Sequence, residues 1–132
     1  MIDAEVKVFN RVYAVVAPLC ANKKFVSTII SEPPTSVPAA SLIEMDNRTV
    51  QSRQGSTPTE NFSLITYVLE VYATSKSECR KVYATADEAM IAMNFTRISG
   101  QYINNPDNTK VFRYVARYEA VVDMDGNIYR RS

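Results

Sequence analysis

The sequence predicts an α+β domain, a mostly antiparallel sheet with two helices packed on one face, a long loop and a C-terminal hairpin arm. Three observations carry this. Only two stretches have helical spacing, and the other apolar runs are short, β-branched and consecutive. The run FSLITYVLEVYAT (62–74) is largely apolar on both alternating sets, as a central strand covered on both sides requires. In the last long run, Phe112, Tyr114, Ala116, Tyr118 and Ala120 alternate with Val111, Arg113, Val115, Arg117 and Glu119, so a ring-bearing face backs onto a half-charged one. The length of 132 residues fits a single domain spanning 1–132.

The elements follow in order. Residues 3–20 read as a helix: Asp3 can cap it, and Phe9, Val12, Tyr13, Val16 and Leu19 share one stripe until Pro18 kinks or ends it. FVSTII (25–30) is a short strand stopped by Pro33 and Pro34. VPAASLIEMDN (37–47) is a second strand, with neither alternating face clean. The polar stretch at 47–61 reads as a long loop or an extended arm, in which only Val50 is apolar. After the central strand, 75–95 is a helix with Val82, Ala86, Ala89, Met90 and Met93 on its apolar stripe. Ser75 and Glu78 have capping-box spacing, and Asn94 can stop the helix. Strands at 95–103 and 110–122 flank the turn NNPDNT, and the Asp-Gly of MDGN folds IYRR back as a short arm.

Composition excludes several chemistries. Fifteen basic and 14 acidic residues leave a formal charge of +1, which is not the footprint of a strongly basic nucleic-acid binder. Histidine is absent, which removes the commonest general base and metal ligand. Three scattered glycines cannot build a phosphate loop. DMDGN echoes the start of a calcium loop but lacks the terminal glutamate, so it reads as a hairpin turn. Cys20 and Cys79 read as reduced thiols of a cytosolic-type compartment. No signal peptide is visible at the start, and no apolar run approaches a membrane span. Glu44, Glu70 and Glu119, all on predicted strands, read as cross-strand partners for Arg113 or Arg117 rather than as an acid/base pair.

The expectation is therefore a non-enzymatic binding or structural module, with no catalytic residue, cofactor or metal. Candidate contact residues are Arg48, Gln51, Arg53 and Gln54 around the polar loop, and Arg113, Arg117, Arg130 and Arg131 toward the end of the sequence. The arginine cluster with Tyr102, Tyr114 and Tyr118 admits a rival reading, a ferredoxin-like RNA-binding sheet with bases stacked on the rings. The polar loop is expected to order only in an assembly, since it offers little burial against the entropy of fixing its backbone.

The segments EVKVFNRVYAVVAPLC, PAASLIEMDNRTVQSRQGSTPTENFSLITYVLEVYATSKSECRKVYATADEAMIAMNFTRI and VFRYVARYEAVVDMDGNIYRR resemble the tail-terminator and tail-completion proteins of long-tailed bacteriophages. These small proteins are often labelled minor capsid proteins in phages and prophages of Gram-positive bacteria. The similarity spans nearly the whole chain in a consistent order. It implies the same α+β domain and a mechanical role, as copies forming a six-fold ring that docks on the last ring of the tail tube, stops its growth and faces the head connector. The implied partners are further copies of the chain, the tail-tube protein and the head–tail connector protein. No membrane and no nucleic-acid specificity are implied, although DNA would pass through the ring lumen. The implied location is the virion neck, with assembly in the host cytoplasm, and the matching interface features are the loop at 47–61 and the hairpin at 123–131. A head–tail connector or other neck component is the alternative within the same class.

Overall fold

A computed structural model describes residues 3–20, 25–27, 38–49, 62–103 and 112–130. The elements are α1 (Glu5–Val16), β1 (Phe25–Val26), β2 (Ala39–Thr49), β3 (Phe62–Ala73), α2 (Lys76–Ala92), β4 (Thr96–Ile103), β5 (Phe112–Asp123) and β6 (Ile128–Arg130). A short 3-10 turn, Ala17–Leu19, follows α1. The sheet order is β1-β2-β3-β5-β4, and β6 pairs with β5 where β4 leaves off. Every pairing is antiparallel except β1 with β2. The fold is the α+β arrangement the sequence predicts.

Alternation decides which face each strand residue joins. On β5, Tyr114, Ala116, Tyr118, Ala120 and Val122 are buried in the core beneath the helices. Their β3 partners Val71, Leu69, Tyr67 and Ile65 lie in the same core. The opposite face of β3 is also covered at Thr66, Val68 and Tyr72, as a central strand demands. On β2 the register shifts between Glu44 and Asp46. That bulge at Met45 puts Asp46 and Arg48 on the face opposite to the one that regular alternation from Leu42 and Glu44 would give them. An extra residue moves every later side chain to the other face.

α2 starts and stops on chemistry legible in the sequence. The Ser75 hydroxyl accepts from the Glu78 amide at 3.1 Å. Asn94 adopts φ +74°, the left-handed conformation that Asn tolerates. The amides of Asn94 and Phe95 then donate to the Ile91 and Met90 carbonyls at 3.0 Å each. This is a Schellman closure, with Phe95 and Met90 in its apolar contact.

α1 differs from its sequence reading. The helix is shorter than 3–20 because Pro18 tightens its end into the 3-10 turn. Asp3 accepts from the Glu5 amide at 3.0 Å, but the cap position itself is Ala4. The buried stripe is Val8, Val12 and Val16, not the stripe through Phe9 and Tyr13. Phe9 stacks on Phe25 at 5.0 Å, and Tyr13 tilts against the same ring at 6.1 Å, so both rings are drawn to the β1 edge.

Two side-chain arrangements lock α2 to the sheet. Asp87 accepts from the Tyr118 hydroxyl at 2.7 Å and from Arg97 at 3.2 Å, which ties α2 to β5 and β4. Tyr83 stacks on Tyr114 at 3.8 Å. Gly100 lies directly beneath this stack, and a Cβ there would collide with the Tyr114 hydroxyl. Burial pushes the Tyr118 hydroxyl far up in pKa, and its bond to Asp87 adds to the shift, so it acts only as a donor. Among the described residues no helix is long and apolar enough to cross a membrane.

Candidate functional site

Of the predicted contact residues, the side chains of Arg48, Arg113 and Arg117 are described, and all three belong to one face of the sheet in different settings. Arg48 is part of β2 rather than of a loop, and its exposed side chain pairs with Asp46 at 3.1 Å. Both belong to the sheet face away from the helices, because the bulge puts them opposite Leu64 and Thr66. Arg113 and Arg117 share that face on β5 but differ in setting. Arg113 donates to Glu70 at 2.8 Å, and its guanidinium lies 5.9 Å from the centre of the Tyr72 ring. Arg117 is exposed, opposite Val68 on one side and Ser99 on the other. Gln51, Arg53, Gln54 and Arg131 lie outside the described residues, as do the side chain of Arg130 and the loop at 50–61. Only the backbone of Arg130 is placed, paired with Ala120.

The three strand glutamates separate. Glu70 meets Arg113 as its spacing suggested. Glu119 stands opposite Thr66 and Thr96. Glu44 overturns the expectation of an arginine partner. It lies on the helix side, opposite Tyr67, with one carboxylate oxygen buried and unpaired among the described residues. Burial raises its carboxyl above the ordinary value, and the negative charges of Glu5 and Asp3 raise it further. The Tyr67 hydroxyl is buried beside these three acids, has no hydrogen-bond partner among the described residues, and is pushed far up by burial and by their charge.

The tyrosines do not make a stacking platform. Tyr114 and Tyr118 are buried beneath α2, and only Tyr102 is exposed, capped by the Lys76 ammonium at 5.4 Å from its ring centre. The RNA-binding reading needed all three rings on an open face. The free thiols of Cys20 and Cys79 are buried, and burial pushes each up to about 11, which leaves them protonated and unreactive. Among the described residues no cluster of three or more Asp, Glu or Cys side chains is placed to hold a metal ion.

The C-terminal hairpin is the most constructed surface feature. Asp123 accepts from the Asp125 and Asn127 amides at 2.9 Å each, from the Asn127 side chain at 3.1 Å and from the Tyr129 hydroxyl at 2.9 Å. Gly126 turns the chain at φ +85°, and the Asp-Gly signal in the sequence marks that position. This turn is the use to which DMDGN is put; the Asp123 oxygens are already occupied by its own donors. Asn94 ties the arm to α2 by donating to the Ile128 carbonyl at 2.9 Å. Held in this way, the arm displays Met124 at 57% exposure and Tyr129 at 44%.

Burial alone would raise the Asp123 carboxyl, but the hydrogen bonds from Asn127, Tyr129 and Asp125 outweigh it and hold the group below its ordinary value. A carboxyl with a depressed folded value contributes order that is complete above its unfolded value and lost as pH falls through the folded one. Amide protection at Asp125 and Asn127 is therefore expected to fall below about pH 3.8 in the native chain. In Asp123→Asn the protection should be lower and flat across that range. Native protection unchanged in acid would show that the carboxylate does not hold the turn.

The sequence reading missed an open cleft of about 310 Å³ between α1, the end of α2 and the hairpin. Lys7, Arg11, Asn94 and Asn127 supply its polar groups, and Met93 and Ile128 its apolar ones. Lys7 reaches across to donate to the Gly126 carbonyl at 3.0 Å. No model of a known protein family matches the chain, and no curated protein matches it.

Proposed function

We propose that this protein is a structural subunit of a long-tailed bacteriophage, whose copies form a six-fold ring that caps the tail tube, ends its polymerisation and joins the tail to the head connector. The observation that supports this best is the pre-organised hairpin. An arm with four hydrogen bonds to one carboxylate presents two large apolar side chains to solvent, the design expected of a docking element whose ordering entropy is spent before binding. The resemblance to tail terminators implies an interface role for that same segment. A fold alone hosts many functions, so the weight rests on the arm and the resemblance rather than on the α+β class.

The test is genetic and visual. A phage lacking this gene should release aberrant, often over-long tails, and the purified chain should appear as a ring at the end of tubes assembled from the tail-tube protein. Normal tails with unjoined heads would move the protein to the connector. A chain that engages neither tube nor connector would remove it from the neck altogether.

A further inference from the structure

The two flanks of α1 carry opposite charge. Glu5, Phe9 and Tyr13 follow one another at helical spacing on the side that meets Phe25, with Asp3 and Glu44 beside Glu5. Lys7 and Arg11 follow one another on the other side, along the cleft below the hairpin. Residues two apart on a helix lie about 200° apart around its axis, so these flanks face away from each other. Other acids near cations are already matched: Asp46 with Arg48, Asp87 with Arg97, and Glu70 with Arg113. Among the described residues Arg11 has no ion pair, and neither do Asp3, Glu5 and Glu44.

We infer that the cleft of one copy, through Lys7 and Arg11, receives the Asp3–Glu5–Glu44 flank of a second copy, making a head-to-tail contact. Two unlike patches on opposite sides of one subunit generate a heterologous interface, which closes into a ring when the rotation allows. The cleft supplies donors with directional reach: the Arg11 fork, the Lys7 ammonium and the side-chain amides of Asn94 and Asn127. The acidic flank supplies acceptors and a structural reason to be met. Glu44 is pressed against the like charges of Glu5 and Asp3 above the buried Tyr67 ring, so a cation brought to this flank by a second copy would relieve that repulsion. The apolar members of each flank, Met93 and Ile128 on one side and Phe9 and Tyr13 on the other, give the charges a surface from which water can be excluded.

This contact deepens the ring reading and rests on it for the number of copies, but it can be tested separately. Sedimentation of the full chain at low and high salt is the measurement. The native chain should self-associate at low salt and dissociate as salt rises. Lys7→Glu with Arg11→Glu, and separately Asp3→Lys with Glu5→Lys, should each lose self-association while keeping native circular dichroism. An equimolar mixture of the two should recover association, now between unlike variants. The neutral pair Asp3→Asn with Glu5→Gln avoids placing cations at a helix N-terminus and should weaken association without abolishing the fold. A native chain that stays monomeric at low salt overturns the contact, as does a mixture that fails to recover association. A cleft that binds single-stranded oligonucleotide while the chain remains monomeric also overturns it. If charge-reversed variants still cap tail tubes as the native chain does, the contact fails and the ring reading stands. If the flanks pair as described but no variant or native chain ever engages a tube, the contact stands and the tail-terminator reading fails.

Discussion

Phe95→Ala is expected to cost the fold about 3–5 kcal/mol, the range for removing a buried ring from a core that cannot collapse around the void. That is a large share of the ~5–15 kcal/mol typical of a domain this size. Phe95 is fully buried and meets the Tyr67 ring edge-on at 5.5 Å. Its position also closes α2, since its amide donates to Met90 and its ring seals the cap. The neighbouring Asn94 then holds the hairpin through Ile128. The ring thus supports both the α2–β4 corner and the base of the arm. Urea unfolding followed by circular dichroism should show the loss as a lower midpoint with an unchanged slope. Phe95→Leu should lose no more than about 1.5 kcal/mol, because most of the volume stays. A loss below about 1 kcal/mol for the alanine variant would mean the corner repacks, which a close-packed core does not do cheaply.

Elements whose local chemistry agreed with their packing were legible in the sequence. β3 is buried on both faces as its doubly apolar pattern predicts, β5 alternates in burial from Arg113 to Ala120 as its sequence does, and α2 carries its cap at Ser75 and its stop at Asn94. α1 was misread by rotation. Phe9 and Tyr13 are as apolar as Val8 in a pattern count, yet rings can pack at an edge with one side wet, while Val8 can only be satisfied inside. In β2 the bulge at Met45 broke the alternation, and no sequence signal announces a bulge without a glycine. Glu44 lies before that shift, in step with Ala40 and Leu42, and its place beside Tyr67 follows from which face of β2 the helices cover. The Glu70–Arg113 pair was legible because cross-strand charge pairing is a local rule once strands are known. The basic cleft was not, because Lys7, Arg11, Asn94 and Asn127 meet only after α1, α2 and the hairpin converge. Met124 and Tyr129 were visible as residues, but their role follows from the Asp123 network that fixes the turn beneath them.

Arg113→Ala should destabilise the chain by about 2 kcal/mol at neutral pH. This is less than the ~3–5 kcal/mol seen when one partner of a fully buried pair is removed, because Arg113 keeps a third of its side chain in solvent. The loss comes mainly from what is left behind. The Glu70 side chain is 14% exposed, and without the guanidinium its remaining hydrogen bond among the described residues is the one from Tyr72 at 3.4 Å, which is long. That carboxylate is then left with little solvation and no guanidinium to meet it. Glu70→Gln in the Arg113→Ala background should recover part of the loss, because a neutral amide costs less than a carboxylate when the guanidinium is gone. The double-mutant cycle built from these two variants, Glu70→Gln alone and the native chain isolates the pair. A coupling energy near zero would mean that the Arg113 contribution is packing of its stem against the Tyr72 ring rather than charge.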